Sequence, residues 1–186
     1  GHLLISQIPT ATPADGYDGA TEVWTKNDGA AKAPNTSTRV YRDASYVVTW
    51  QKGAFGYTVN YIYDDDMETV TGEGAFEEKI PYTADETATR NEKNYVLEKV
   101  EFAEGGDGTV TSEAAKNVVN VYYAADEIGT DDPESPDGVP DKYQATVTYR
   151  AVNGTVSLEK AVVTLFAEDG VTPAEDGVGH LSANQI

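Results

Sequence analysis

The chain has 186 residues, of which 32 are acidic and 13 are lysine or arginine, so its formal net charge is −19. Such a charge repels phosphate backbones at long range, and we therefore expect no nucleic-acid partner. The sequence contains no cysteine, which excludes disulfides, zinc-thiolate sites and thiol nucleophiles.

The first eight residues of the chain resemble its last eight. Gly1–Ile8 and Gly179–Ile186 share five of eight residues at equivalent positions. If the match marks a repeat, its period is 178 residues, which is typical of a tandem array of modules. Chance similarity is the alternative that so short a match leaves open.

Strands dominate the prediction, because apolar and aromatic residues alternate with polar ones between Gly, Asp, Asn and Pro. In the clearest segment, residues 57–63, Tyr57, Val59, Tyr61 and Tyr63 share one face, and the acidic residues 64–66 predict a turn after it. The predicted strands are residues 46–50, 57–63, 94–102, 118–123, 144–152 and 162–166. No apolar run approaches the roughly 18 residues that span a bilayer, so we expect no membrane insertion.

Helix signals are weak, and the best is a single turn over Thr111–Lys116 with Ser112 as its N-cap. Two segments predict junctions between modules. Residues 127–142 are rich in acid, Pro and Gly, which disfavours a continuous strand or helix. Around residues 51–56 one predicted strand gives way to the next.

These junctions predict four segments. Residues 1–52 form the second half of a β-repeat module, residues 56–126 a central module, residues 127–142 an acidic junction, and residues 143–186 the first half of a β-repeat module. The two halves are expected to complement one another, either within one chain or between chains as self-association.

The central segment resembles a known repeat. It opens with Tyr57-Thr58-Val59-Asn60-Tyr61-Ile62-Tyr63-Asp64 and closes with Asn117-Val118-Val119-Asn120-Val121-Tyr122-Tyr123, with a Gly72-Glu73-Gly74 turn and the strand Asn94–Val100 between them. This pattern is similar to the mucin-binding (MucBP-type) repeat of Gram-positive surface proteins. The resemblance covers about seventy residues and implies a small β-grasp-like module.

The flanking segment resembles a second family. Pro13-Ala14-Asp15-Gly16-Tyr17, followed by Val23-Trp24, is similar to the Listeria–Bacteroides or internalin B-type repeats. Both resemblances imply a mostly-β chain of tandem, β-grasp-like (ubiquitin-like) modules that project from a bacterial cell wall into the extracellular medium. Neither resemblance implies catalysis.

The acidic junction is the best candidate for a metal site. Five carboxylates lie at close spacing around Gly138, and calcium prefers flexible clusters of this kind. The predicted ligands are Asp131, Asp132, Glu134, Asp137 and Asp141. The alternative interpretation is a solvated linker that binds no ion.

Tyrosine and tryptophan side chains near turns are candidates for stacking on sugars, and we select Tyr17, Trp24, Tyr82 and Tyr95. Packing within the sheets is the alternative role for these rings. The sequence favours no enzyme, because His2 and His180 occupy one repeated position and no phosphate loop or nucleophile elbow is present.

The sequence therefore predicts a non-catalytic adhesin fragment that binds host mucin or another glycoprotein. The alternative is a structural stalk that spaces a distal domain from the cell wall. An exposed aromatic pocket would favour the adhesin, whereas rigid junctions without a pocket would favour the stalk.

Overall fold

The structure, a computed structural model, describes residues 1–64 and 66–186, and the side chains of all of these except Asn184. The chain is mostly β, as predicted. Its nine strands are β1 Tyr17–Lys26, β2 Tyr46–Lys52, β3 Ala54–Tyr63, β4 Asp66–Ala75, β5 Thr87–Arg90, β6 Lys93–Phe102, β7 Val118–Ala125, β8 Gln144–Thr148 and β9 Lys160–Thr164. The helical elements are short 3-10 turns at Ile5–Gln7, Ala114–Lys116, Asp141–Tyr143 and Ala183–Gln185. Across the described residues, none of the helices has the length and apolar character needed to cross a bilayer.

The chain divides into two compact units. Unit 1 contains Gly1–Tyr57, Thr71–Ile80 and Glu104–Asn117, and unit 2 contains Thr58–Val70, Pro81–Ala103 and Val118–Ile186. The buried apolar residues of unit 1 include Ile80 and Val110; those of unit 2 include Val59, Val119, Val121, Tyr123 and Val162.

The largest sheet has five strands in the order β4-β3-β7-β6-β5. Strands β3 and β7 run parallel, with Thr58–Tyr63 opposite Val118–Tyr123. Strand β6 is antiparallel to both β7 and β5. Val59 on β3 and Val119 and Val121 on β7 are at most 1% exposed, and burial alternates along most of β7, as expected where one face of a sheet is covered.

Two smaller antiparallel sheets have two strands each. Strand β1 pairs with β2 in unit 1, and β8 pairs with β9 in unit 2. The valines of β9 are buried, whereas Val23 on β1 and Val47 on β2 are 47% and 58% exposed. Whether residues 1–52 and 143–186 complement one another stays a prediction, as do the limits of the four segments.

The six predicted strands all exist. Residues 72–74, which the sequence predicts as a turn, instead lie within β4, and other local details differ. The N-cap of the turn Ala114–Lys116 is Glu113 rather than Ser112, whose hydroxyl instead donates a hydrogen bond to Asp15 at 2.7 Å. The strand predicted over 144–152 ends at Thr148, and Asn153, with a left-handed φ of 61°, lies in the bend that follows.

The predicted turn at residues 64–66 falls partly outside the described residues, since Asp65 is not among them. Asp64 does form a turn, with a φ of 41°, and its carboxylate accepts a hydrogen bond from the backbone N–H of Ala125. Asp66 is already the first residue of β4.

Candidate functional site: a tyrosine-lined pocket

Unit 2 contains a pocket of about 250 Å³ that is lined by three tyrosines and rimmed by exposed polar side chains. The tyrosines are Tyr61, Tyr63 and Tyr123, and the rim includes Glu68, Thr83 and Asp85. Alternation along β3 places Tyr61 and Tyr63 on one face, as the sequence predicts.

The parallel register of β3 and β7 creates the aromatic wall of this pocket. Tyr63 lies directly opposite Tyr123 in the ladder. Neighbouring strands are about 4.8 Å apart, so equivalent rings on an in-register parallel pair stack face to face. The two rings are 5.1 Å apart between centroids and inclined by only 10°. Tyr95, from β6, packs edge-on against Tyr63, also at 5.1 Å.

Two hydrogen bonds fix the segment that forms the opposite wall. The Tyr61 hydroxyl accepts a hydrogen bond from the backbone N–H of Thr83 at 3.0 Å. The Tyr123 hydroxyl donates to the backbone carbonyl of Asp85 at 3.1 Å. These bonds attach the Thr83–Asp85 segment to tyrosine side chains of β3 and β7, so the two walls of the pocket are held together.

Arg90 closes one side of the aromatic cluster. It ends β5 immediately before a two-residue hairpin turn, in which Asn91 and Glu92 both have positive φ, as type I′ turns require. The guanidinium lies 4.9 Å from the Tyr63 ring centroid and forms an ion pair with Asp66 at 2.8 Å. Arg90 thus packs on a ring, and a second ion pair, with Glu68, neutralises one carboxylate of the rim.

Burial raises the pKa of the Tyr63 and Tyr123 phenols above their ordinary value of 10.0. Both hydroxyls are therefore protonated near neutral pH, and that of Tyr123 donates to the Asp85 carbonyl. A preorganised, tyrosine-rich surface with hydroxyl and carboxylate groups at its rim is suited to a neutral, hydroxyl-rich ligand.

Arg90→Met is expected to raise the pKa of Asp66, which the Arg90 hydrogen bond holds below its ordinary value of 3.8. Because the pKa of Asp66 is lower in the folded state than in the unfolded state, its ionised carboxylate stabilises the fold at pH values above the unfolded-state pKa. This stabilisation is lost as the pH falls through the folded-state pKa. Carboxyl-carbon NMR titration measures the change. Lys99→Met is the matched control, because Lys99 pairs with Glu101 instead. An unchanged Asp66 titration in Arg90→Met would contradict the assigned cause.

The four aromatic residues selected from the sequence lie in separate clusters. In unit 1, Tyr17 packs edge-on against Phe76 at 6.0 Å, and the Trp24 indole N–H donates to the Glu22 carboxylate. In unit 2, the 40% exposed Tyr82 packs edge-on against Phe102, and the 7% exposed Tyr95 lies in the core. Of the four, Tyr95 packs against a pocket tyrosine, Tyr63. Their binding roles stay predictions.

The acidic junction is folded by hydrogen bonds from its own backbone. The Asp137 carboxylate accepts from the backbone N–H and the hydroxyl of Thr130 and from the buried Gln144 amide. The Asp141 carboxylate accepts from the backbone N–H groups of Glu127 and Ile128, at 2.9 and 3.2 Å. These bonds hold the junction to the start of β8 and to the residues that follow β7.

The remaining predicted ligands lie nearby in the junction. Asp132 accepts from the backbone of Glu134 and the hydroxyl of Ser135, and Asp131 lines a neighbouring pocket. Throughout residues 1–64 and 66–186, no group of three or more His, Asp or Glu side chains is arranged to hold a metal ion. Calcium binding by the junction stays a prediction.

Sequence reasoning missed the in-register pairs that build the pocket. Val59, Asn60 and Tyr63 recur 60 residues later as Val119, Asn120 and Tyr123. In the structure each pair is directly opposite, and the Asn60 amide donates to Asn120 at 2.8 Å. The shared spacing of these identical residues was the signal that could have revealed the parallel pairing.

Comparison with protein-family models, curated proteins and solved structures found no match to this chain.

Proposed function

We propose that this protein is a non-catalytic adhesin module of a Gram-positive cell surface, and that it binds a neutral sugar of host mucin or another glycoprotein. The observation that carries the proposal is the tyrosine-lined pocket with its hydroxyl and carboxylate rim. Rings supply stacking surfaces, and the rim supplies the hydrogen-bond acceptors and donors that sugar hydroxyls require.

Within the pocket, Tyr61 is the ring we assign to ligand stacking. Tyr123, Tyr95 and Arg90 already pack against Tyr63. The half-buried Tyr61 lines the pocket, and its hydroxyl accepts from the Thr83 backbone, so its ring is fixed at the pocket wall. The net charge of −19 and the acidic rim disfavour sialylated or sulfated sugars.

The proposed fold is a series of small β-grasp-like modules, of which residues 56–126 form the central one. Its support is the mixed sheet, in which the first and last strands of this segment, β3 and β7, are central, adjacent and parallel. Attachment to a cell wall rests on the sequence resemblance to MucBP-type repeats.

The test is binding to immobilised mucin before and after enzymatic deglycosylation, with calcium present and then chelated. Saturable binding is expected only to the glycosylated form. Tyr61→Ala is expected to weaken it roughly 10-fold, because an aromatic contact contributes on the order of 1 kcal/mol. Tyr41→Ala is the matched control, since Tyr41 is 82% exposed and belongs to unit 1.

Undiminished binding to deglycosylated mucin, or equal binding by Tyr61→Ala and the parent protein, would contradict the glycan proposal.

No binding in any condition would favour the second candidate, a structural stalk. The observation behind the stalk is the folded junction, where Glu98 on β6 accepts hydrogen bonds from Lys142 and Tyr143 at 2.6 and 2.9 Å. A junction fixed in this way would keep the angle between consecutive modules constant, which a stalk requires.

A further inference from the structure

The two similar octapeptides adopt the same local structure. The first octapeptide is Gly1–Ile8 and the second is Gly179–Ile186. Each contains one 3-10 turn, at Ile5–Gln7 and at Ala183–Gln185, in equivalent positions. Because they differ at the three positions after the shared Gly-His-Leu, the common backbone depends on the residues that they share.

The shared glutamine explains the common turn. The residue before the turn, Leu4 or Ser182, has φ and ψ of −77° and 154° or of −76° and 165°. In each case its backbone N–H donates to the glutamine side-chain oxygen, of Gln7 or Gln185, at 2.8 Å. In return, the glutamine backbone N–H donates to the carbonyl of the same residue, so the glutamine closes its own turn.

The second octapeptide is seated in a docking groove of unit 2, formed by Tyr149 and the strand β9. The Gln185 amide donates to the backbone carbonyl of Val162 at 2.7 Å, and the Tyr149 hydroxyl donates to the backbone carbonyl of Gln185 at 2.7 Å. Gly179 lies so close to the strand that an added Cβ would stand 2.5 Å from a methyl group of Val163.

The positions shared by the octapeptides are mostly those that meet the docking groove. Gly179 approaches β9, His180 and Gln185 line a pocket of about 560 Å³ along that strand, and Leu181 is half-buried. At two of the three positions where the octapeptides differ, Ser182 and Ala183 are exposed. Ile186 departs from this pattern, since it is shared and 92% exposed.

The first octapeptide has the same five residues, but its contacts with the rest of unit 1 do not depend on their side chains. An added Cβ on Gly1 would meet no atom within 4 Å. The segment is held by backbone bonds, from the Val40 N–H to the Gly1 carbonyl at 2.9 Å and from the Leu3 N–H to the Thr38 carbonyl at 3.4 Å. These bonds use backbone atoms alone, so they do not require the side chains that the two octapeptides share.

We propose that the docking groove is a receptor for either octapeptide, and that the first octapeptide of a second copy of this chain is its intermolecular partner. Each chain carries one groove and one such ligand, so the contact is heterologous and propagates copies head to tail. This inference goes beyond the proposed function, because it requires no glycan and its test contains none.

The test first displaces the second octapeptide from the docking groove and then alters the first octapeptide so that it no longer fits. Gly179→Ala places a methyl group against Val163 and is expected to expel the second octapeptide. The variant should self-associate in sedimentation velocity at concentrations roughly 10-fold lower than the parent protein. Adding Gly1→Ala should reverse this association, because the incoming segment then carries the same obstructing methyl group. Gly1→Ala alone is the matched control and should behave as the parent.

A second pair of variants opens the groove without adding volume, in case Gly179→Ala disturbs the fold. Gln185→Ala removes the bond to the Val162 carbonyl and should promote association, which Gln7→Ala in the same chain should abolish. A peptide with the sequence of residues 1–8 should compete for the open groove, and its Gln7→Ala version should need roughly 5-fold more, as expected for one lost hydrogen bond. Three results would overturn the proposal. The first is association that persists after Gly1→Ala or Gln7→Ala is added. The others are Gly179→Ala and Gln185→Ala variants that associate no more than the parent protein, and a peptide that does not compete.

Discussion

Asn117→Ala is expected to lower the free energy of unfolding by about 3 kcal/mol, because three part-buried backbone groups lose their partner. The Asn117 side chain is fully buried. Its amide donates to the carbonyls of Gly56 at 3.0 Å and Thr111 at 2.8 Å. Its oxygen accepts from the backbone N–H and the hydroxyl of Thr111. Urea unfolding followed by circular dichroism measures the loss.

Two further variants sharpen this prediction. Asn27→Ala is the matched control, since Asn27 is exposed, and it should change stability by less than about 0.5 kcal/mol. Asn117→Asp keeps the acceptor oxygen but turns a second oxygen toward two carbonyls. It should therefore be less stable than the parent protein at neutral pH. Part of this stability should return in acid, where the carboxyl is protonated and can donate a hydrogen bond. Equal stability of Asn117→Ala and Asn27→Ala would show that the hydrogen bonds of Asn117 contribute little.

Asp126→Ala is expected to cost about 3 kcal/mol and to release the acidic junction, because hydrogen bonds to a buried carboxylate are strong. Asp126 is only 2% exposed, and its two oxygens accept from the backbone N–H groups of Asp137 and Gly138, each at 3.0 Å. It follows β7 directly, so it ties the junction to the end of a core strand. Hydrogen exchange at residues 137 and 138 reports the release, and urea unfolding reports the energy.

Asp131→Ala is the matched control for Asp126, as an exposed acidic residue of the same junction. It should change stability by less than about 0.5 kcal/mol. If both variants lost the same stability, the effect would come from the charge of the junction rather than from the two hydrogen bonds. Asp126→Asn should fall between them, since an amide oxygen still accepts one hydrogen bond.

The strands were predictable because their signal is local. Alternation of Tyr57, Val59, Tyr61 and Tyr63 depends only on the period of a pleated strand, and it identifies both the element and the face that these side chains share. The weakness of the helix signals was equally informative, since the described helical elements are single 3-10 turns. Ser112 was misassigned as a cap because its partner, Asp15, is 97 residues away in sequence.

The tyrosine pocket could not be assembled from local patterns. Tyr95 shows the difficulty: it follows a turn in the sequence, yet the tertiary structure packs it against Tyr63 and buries it. The same holds for Arg90, whose contact with Tyr63 joins two strands that are not adjacent in the sheet.

The sequence by itself determined the mostly-β character, the positions of six strands, the acidic surface and the repeated octapeptide. Each of these follows from composition or from spacing along the chain. Only the tertiary structure decided that β3 lies parallel to β7 in register, which stacks Tyr63 on Tyr123, and that Gln185 and Gly179 are seated against β9. Strand partners and register depend on long-range burial, which a period of two residues leaves undetermined.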